Sequence, residues 1–183
     1  METKMNYKRV GQDIFYSEQE IVTVGPKQIK FLLDEADKSP RQQSRLCTHE
    51  SERDNVHEML IVHKKDMYVR PHQHIEKIES FYLVQGDVDI VLFDGTGRVV
   101  DVINLGDYQS GKTFYFRFNC AVFHTVIINS PVAIFHEVTK GPFIRAENDY
   151  ADWAPAIDNL EQIKVYQEWL NTEVNQFKEK SLT

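Results

Sequence analysis

Residues 56 to 143 predict an all-β core, a sandwich or barrel of short strands, with one helix before it and one after. Three observations carry this. Segments rich in Val, Ile, Phe and Tyr follow one another closely: HEMLIVHK, DMYVRPHQH, SFYLVQGDVDIVLFD, RVVDVINL, KTFYFRF, HTVIINS and VAIFHEVT. Gly-Asp, Asp-Gly-Thr-Gly, Leu-Gly-Asp and Asn-Ser-Pro separate them, and all of these carry turn chemistry. No helical pattern lies between them, so strands pack on strands.

The elements follow in order. Residues 1–50 read as an N-terminal extension. IVTV, at 21–24, predicts a short strand, and Gly25-Pro26 a turn. A helix follows over about residues 27–37, where Ile29, Leu32, Leu33 and Ala36 form an apolar stripe. Ser39-Pro40 ends it, because a residue before proline is pushed out of the helical region. The barrel occupies 51–145. Within it Asp94-Gly95-Thr96-Gly97 joins two apolar strands as a hairpin. After Gly141-Pro142 the stretch AENDYADWAPAIDN is irregular. Residues 146–183 are therefore a linker and a final helix, from about 160 to 178, with Ile163, Tyr166, Leu170, Val174 and Phe177 on one face. That face packs on the chain's own barrel or on a second copy. The exposed sheet edges add to it and make a homodimer the default. All of this belongs to a single domain.

Composition narrows the function. The chain has 183 residues and 42% hydrophobic content, enough for a real core. A net charge of −7 argues against nucleic acid and anionic membrane as partners. No apolar run approaches a membrane span, and METKMNYKRVGQDIFYSEQE has no signal-peptide core. Two cysteines, Cys47 and Cys120, make no disulfide framework, so a cytoplasmic setting is expected. Both read as small buried fillers.

The chemistry gathers in PHQHIEKIESFYLVQG, residues 71–86. Alternate residues of a strand face the same way, so His72 and His74 point together. After a turn near Ile75–Ile78 the next strand opens with Glu79, which can lie beside them. Two imidazoles and a carboxylate converging in this way suit a divalent transition metal. A further ligand must come from another strand, and His124 in VFHTVIIN is the candidate. Val122, Val126 and Ile128 share its face and predict that it points inward.

The spacing His72-x-His74-x4-Glu79-x6-Gly86 matches the first motif of the cupins. With RLCTH, HEMLIV, YVRPHQH, ESFYLVQGDVDIVLFD, LGDYQSGKTFYFR, FHTVI and FHEVTKGPF, about residues 15–155 resemble the WbuC family of cupin-fold metalloproteins. The resemblance implies a jelly-roll, or double-stranded β-helix, barrel with a metal in one mouth. It implies His124 as the histidine of the second motif. It also implies an association with bacterial surface-polysaccharide biosynthesis. The second motif departs from the usual pattern: Asn119-Cys120-Ala121 stands where Pro-x-Gly normally precedes the histidine. The interval from Gly106 to His124 is long, and the asparagine that often follows comes late, as Asn129.

Other residues are open to more than one reading. His136 could stand at the pocket wall as an acid–base, or be a buried histidine supporting a ligand. Tyr115 and Arg117 share a face. Facing the cavity, Tyr115 would join the catalytic groups and Arg117 would bind an anionic or hydroxylated substrate; facing outward, they support the sheet. Arg70 has the parity of His72 and His74, so it is a second candidate substrate contact. His49 and His57 read as structural or exposed, and His63, beside Lys64 and Lys65, as solvated. Lys140 reads as a surface residue.

Three functions are compatible with this pattern. One is a metal-dependent enzyme, using Zn, Fe, Mn or Ni, that isomerises or epimerises a small sugar-derived or carboxylate substrate such as a nucleotide sugar. Oxygen chemistry belongs here if the metal is iron. The second is a non-catalytic, metal-dependent module that binds a sugar or acid. The third is a structural metal closing the barrel, whose coordination the protein would fill.

Overall fold

The structure, a computed structural model, describes residues 6–75, 77–144 and 148–181. Glu76, inside the turn expected after His74, and residues 145–147, around the expected start of the C-terminal linker, lie outside the described residues. The elements are β1 (Tyr7–Arg9), β2 (Ile14–Ser17), α1 (Pro26–Lys38), β3 (Gln43–Cys47), β4 (Val56–Lys64), β5 (His72–His74), β6 (Glu79–Gln85), β7 (Asp87–Phe93), β8 (Val99–Gly106), β9 (Tyr115–Phe118), β10 (Phe123–Ile128), β11 (Val132–Lys140), β12 (Asn148–Tyr150) and α2 (Leu160–Ser181).

Two sheets form. The larger has the order β1-β2-β3-β4-β11-β6-β9, the smaller β12-β5-β10-β7-β8. Strands β4 to β11 alone give β4-β11-β6-β9 facing β5-β10-β7-β8. That interleaving of two Greek keys is a jelly roll, the fold implied by the resemblance. The N-terminal strands lengthen the larger sheet, β3 antiparallel to β4 and β2 parallel to β3.

Side-chain alternation builds three apolar layers. On β11, Ala133 and Phe135 enter the core between the sheets, while Ile134 turns outward to meet Leu32 and Ala36 of α1. Pro26 fits the first turn of that helix, where a missing N–H costs nothing. Leu170 and Val174 of α2 cover Val91 and Phe93 on the outer face of the smaller sheet. A polar anchor accompanies them. Asp89 is 2% exposed and accepts from Lys178 Nζ at 2.6 Å, Asn129 Nδ2 at 2.8 Å and Asn104 Nδ2 at 2.9 Å. Three donors meet the cost of burying that carboxylate.

Several expectations change. IVTV forms no strand, and Ile21 is 80% exposed. The strand lies earlier, at Ile14–Ser17, where Phe15 can pack beneath α1 and the backbone can pair with β3. The stretch read as irregular contains β12, a polar strand recruited by backbone pairing to β5 and not by hydrophobic alternation. His63 is buried, with its ring edge-on to Phe135 at 5.0 Å, and burial pushes its pKa down to about 3. Cys120 is exposed, whereas Cys47 is buried as expected.

Gly86 joins β6 to β7 with φ +112°, a conformation that side chains resist. A Cβ there would lie 2.6 Å from the Val132 carbonyl oxygen. Gly86→Ala is therefore expected to destabilise the fold by about 2–4 kcal/mol in chemical denaturation. An unchanged midpoint would refute this account of the turn.

Candidate metal centre

The site is assembled by three pairings. β5 lies antiparallel to β10, with His72 directly opposite His124. His74, two residues on, shares the face of His72. Glu79 opens β6 in the opposing sheet and crosses the barrel to meet them. The ring centroids are 4.6 Å apart for His72–His124, 4.9 Å for His72–His74 and 5.6 Å for His74–His124. One nitrogen from each imidazole lies within 4.8 Å of the others. Glu79 Oε2 is 3.4 Å from both His74 Nε2 and His124 Nε2.

Backbone carbonyls set the imidazoles. His72 Nδ1 is 2.9 Å from the Arg70 oxygen, and His124 Nδ1 is 3.0 Å from the Val122 oxygen. A carbonyl can only accept, so each Nδ1 carries the proton and each Nε2 keeps its lone pair for the centre. Burial, helped by His124, pushes the His72 pKa down to about 4 and keeps that ring neutral. Burial opposes ionisation of Glu79. In the ion-free fold, hydrogen bonding and charge from His124 and His74 outweigh it and hold this carboxyl well below its ordinary range; with an ion bound, the cation would take that part and the rings would keep their lone pairs. The ring of Phe118, 4.5 Å from that of His124, gives the centre an apolar wall.

The arrangement fits a metal. Among the described residues, His74 Nε2 and Glu79 Oε2 are buried polar atoms without a hydrogen-bond partner, and they face each other. Leaving both unmet costs a few kcal/mol. A divalent cation between neutral imidazoles and an ionised carboxylate removes that cost.

The remaining candidates fall elsewhere. On β9 the inward positions go to Phe116 and Phe118, each 8% exposed. Tyr115 and Arg117 therefore lie on the outer face, where Arg117 Nε donates to Asn119 Oδ1 at 2.9 Å. His136 also faces outward, since its strand neighbours Phe135 and Glu137 are turned to the interior. Its Nε2 is 4.0 Å from Glu58 Oε1, on the exterior of β4. Arg70 stays near the centre but is committed to β12. Its Nη2 donates to the Ala151 oxygen at 2.9 Å, and its guanidinium lies over Tyr150, 5.3 Å from the ring centroid. Tyr150 is in turn the strand partner of His72. Two surface clefts, of about 170 and 630 Å³, flank α2 and include none of the four converging residues.

The interior group that sequence reasoning missed is Glu137. It pairs with Met59 on β4 and with Phe81 on β6, and Glu79 is the next residue on that face of β6. Burial and the Glu79 charge push the Glu137 pKa up to about 8, against the pull of Arg45 and Lys77. The alternation of VAIFHEVTK was the available signal. It puts either His136 or Glu137 inside, and both sets carry apolar neighbours.

By topology and site, this is a jelly-roll barrel with a buried centre of three histidines and one glutamate. No curated protein matches the chain. The model of a family described as a domain of unknown function, DUF6016, matches residues 24–105. That span holds His72, His74 and Glu79 and stops short of His124. Among solved structures the chain is similar to oxalate decarboxylase of Bacillus subtilis at pH 4.6, with 18% identity, a TM-score of 0.43 and coverage of 53% of this chain and 24% of that one. It is similar to the Cnp3 cupin domain of Schizosaccharomyces pombe, with 10% identity, a TM-score of 0.42 and coverage of 54% and 64%. It is also similar to a cupin superfamily protein of Desulfitobacterium hafniense, with 13% identity, a TM-score of 0.42 and coverage of 54% and 76%. The chain thus spans about a quarter of the length of the decarboxylase.

Two measurements check the site. Elemental analysis of the purified protein should find a divalent transition metal. His74→Ala should cut its occupancy about tenfold or more while the β circular-dichroism signal persists, and Tyr115→Phe should keep it. Full occupancy in His74→Ala would refute the ligand set. The second concerns pH. In the unfolded chain Glu137 ionises near 4.5, but the fold holds it protonated to about 8. Between those values the folded state binds more protons, so its stability falls as pH rises. With chelator present, Glu137→Gln should match the wild type near pH 5 and melt about 5 °C higher near pH 9. A gap that does not vary with pH would contradict the assignment.

Proposed function

We propose that the protein is a metal-dependent enzyme that moves a proton on a small sugar-derived or carboxylate-bearing molecule inside the barrel, in an isomerisation or epimerisation. The convergence of His72, His74, His124 and Glu79, with buried atoms that have no hydrogen-bond partner among the described residues, carries this reading. The resemblance of the sequence to the WbuC family supports bacterial surface-polysaccharide biosynthesis as the setting, with a nucleotide sugar as the natural form of substrate.

A bound divalent ion with open coordination positions would polarise a carbonyl or hydroxyl. The chain supplies the rest. His72 and His124 present Nε2 because their Nδ1 protons are held by backbone carbonyls. Phe118 and its edge-on neighbour Phe116, 4.5 Å away, exclude water from the same wall. Glu137 has its pKa raised to about 8 in the ion-free fold by burial and the Glu79 charge; with an ion on Glu79 it would rely on burial to keep a proton that a carboxyl in water loses. It can donate that proton to a substrate atom and recover it, the work of a general acid–base tuned near the working pH. The outward placement of His136 and Tyr115 leaves this duty to Glu137.

One observation favours a second reading. Since both other acid–base candidates face outward, a protein that only holds its ligand would need no more than the centre itself. The test is turnover. The metal-loaded protein is incubated in deuterated water with a panel of nucleotide sugars, and isotope entry and product are followed by NMR. Glu137→Gln should lower turnover about 100-fold while retaining the metal, and His136→Gln should remain within about twofold. Metal retention without turnover across the panel would sink the enzymatic reading in favour of a binding module.

A further inference from the structure

The inner face of the larger sheet carries positive charge three strands away from Glu79. On β3, Ser44 Oγ donates to the Leu32 oxygen at 2.6 Å, and Leu46 packs beneath α1, so both face outward. Gln43, Arg45 and Cys47 therefore face the interior. Arg45 is half-buried, and its Nη1 lies 3.9 Å from Met59 Sδ. Met59 is the strand partner of Glu137. The guanidinium acts electrostatically on Glu137, Cys47, Tyr16 and His63, so its charge reaches several inward groups.

Other cations have found carboxylates: Arg9 with Glu35, Lys64 with Asp37, Arg98 with Asp94 and Lys178 with Asp89. Among the described residues Arg45 forms no such ion pair. A thioether sulfur is a weak acceptor for a group with five N–H donors. Asp13, whose backbone oxygen accepts from Arg45 N, has its carboxylate occupied by Gln43 Nε2 at 2.6 Å. A second cation also lies within electrostatic reach of Glu137. Lys77, 8% exposed in the segment between β5 and β6, has Nζ 4.9 Å from the Phe143 ring centroid and acts on both Glu137 and His57.

We propose that Arg45, assisted by Lys77, binds the carboxylate of a ligand whose other end lies at the histidine centre, so that the substrate class is a sugar acid. This rests on the proposed function and narrows it. The planar guanidinium fork matches a carboxylate with two parallel charge-assisted hydrogen bonds, whereas the hydroxyls of a neutral sugar accept without the charge. Three strand spacings, about 14 Å, separate β3 from β6, which bears Glu79. The arginine side chain covers part of that span. The remainder suits a ring-sized molecule better than an acid of two or three carbons. Glu137 lies between the two ends, on β11.

The test uses D-glucuronate and its neutral counterpart D-glucose, titrated calorimetrically into zinc-loaded protein. The wild type should bind glucuronate at least about tenfold more tightly than glucose. Arg45→Gln should reduce that preference to under about twofold, with Arg45→Lys between them because it keeps the charge and loses the fork. Lys77→Gln should lower the preference about threefold and serves if Arg45→Gln does not fold. Equal binding of the two sugars by the wild type, or a preference that survives both substitutions, would overturn the proposal. Metal content and circular dichroism are recorded for every variant. Loss of the metal reading would show in the wild type as an absent ion; loss of the anion site would show as an absent preference in protein that holds its ion.

Discussion

The antiparallel pairing of β5 with β10 is the constraint on which the site depends. It sets His72 directly across from His124. Because side chains alternate along a strand, His74 then joins the same face, and the buried interior of the barrel becomes a place where three imidazoles meet. A one-residue slip would turn His124 outward and bring Thr125 in. The pairing is held on both flanks: β12 backs β5, β7 backs β10, and Arg70 ties the Ala151 carbonyl to the strand entrance.

Two glutamates near that centre illustrate how environment divides one residue type into two chemistries. Glu79 faces His74 and His124 and is held ionised; Glu137 stands half-buried, diagonal to Glu79 on the same face, and is held protonated in the ion-free fold. The first suits a cation, and the second is a proton store. Their separation follows from strand register, since Glu137 pairs with Phe81 and not with Glu79 itself. Glu79 pairs instead with Thr139, which keeps the two carboxyls from facing directly across the ladder.

The helices protect this arrangement from outside. α1 covers Leu46, Val62 and Ile134 on the outer face of the larger sheet, and α2 covers Val91 and Phe93 on the outer face of the smaller. Each sheet is thus apolar on both faces over part of its area. That leaves the inner face free to carry polar groups, among them Arg45, Glu137 and the histidines, without dissolving the core around Phe81, Leu83 and Phe135.

Much of the fold was legible in the chain. The strand segments, the hairpin at Asp94–Gly97, both helices and the inward direction of His124 follow from local patterns: turn chemistry, hydrophobic period, and the company of Val122, Val126 and Ile128. The convergence of His72, His74 and Glu79 was readable because all three lie within eight residues, where a strand, a turn and a strand settle geometry by themselves. What local pattern could not decide was facing and recruitment. Phe116 and Phe118 compete with Tyr115 and Arg117 for the interior, and the barrel's apolar core chooses the phenylalanines. His136 and Glu137 compete likewise, and the contact of Ile134 with α1 turns the even positions outward. β12 has no hydrophobic signature, because backbone hydrogen bonds to β5 created it. Arg45 had no visible place near Glu137 in the chain, because three strands drawn from distant segments must first align. Sequence determines which face a residue shares with its neighbours; only the closed barrel decides which face is inside.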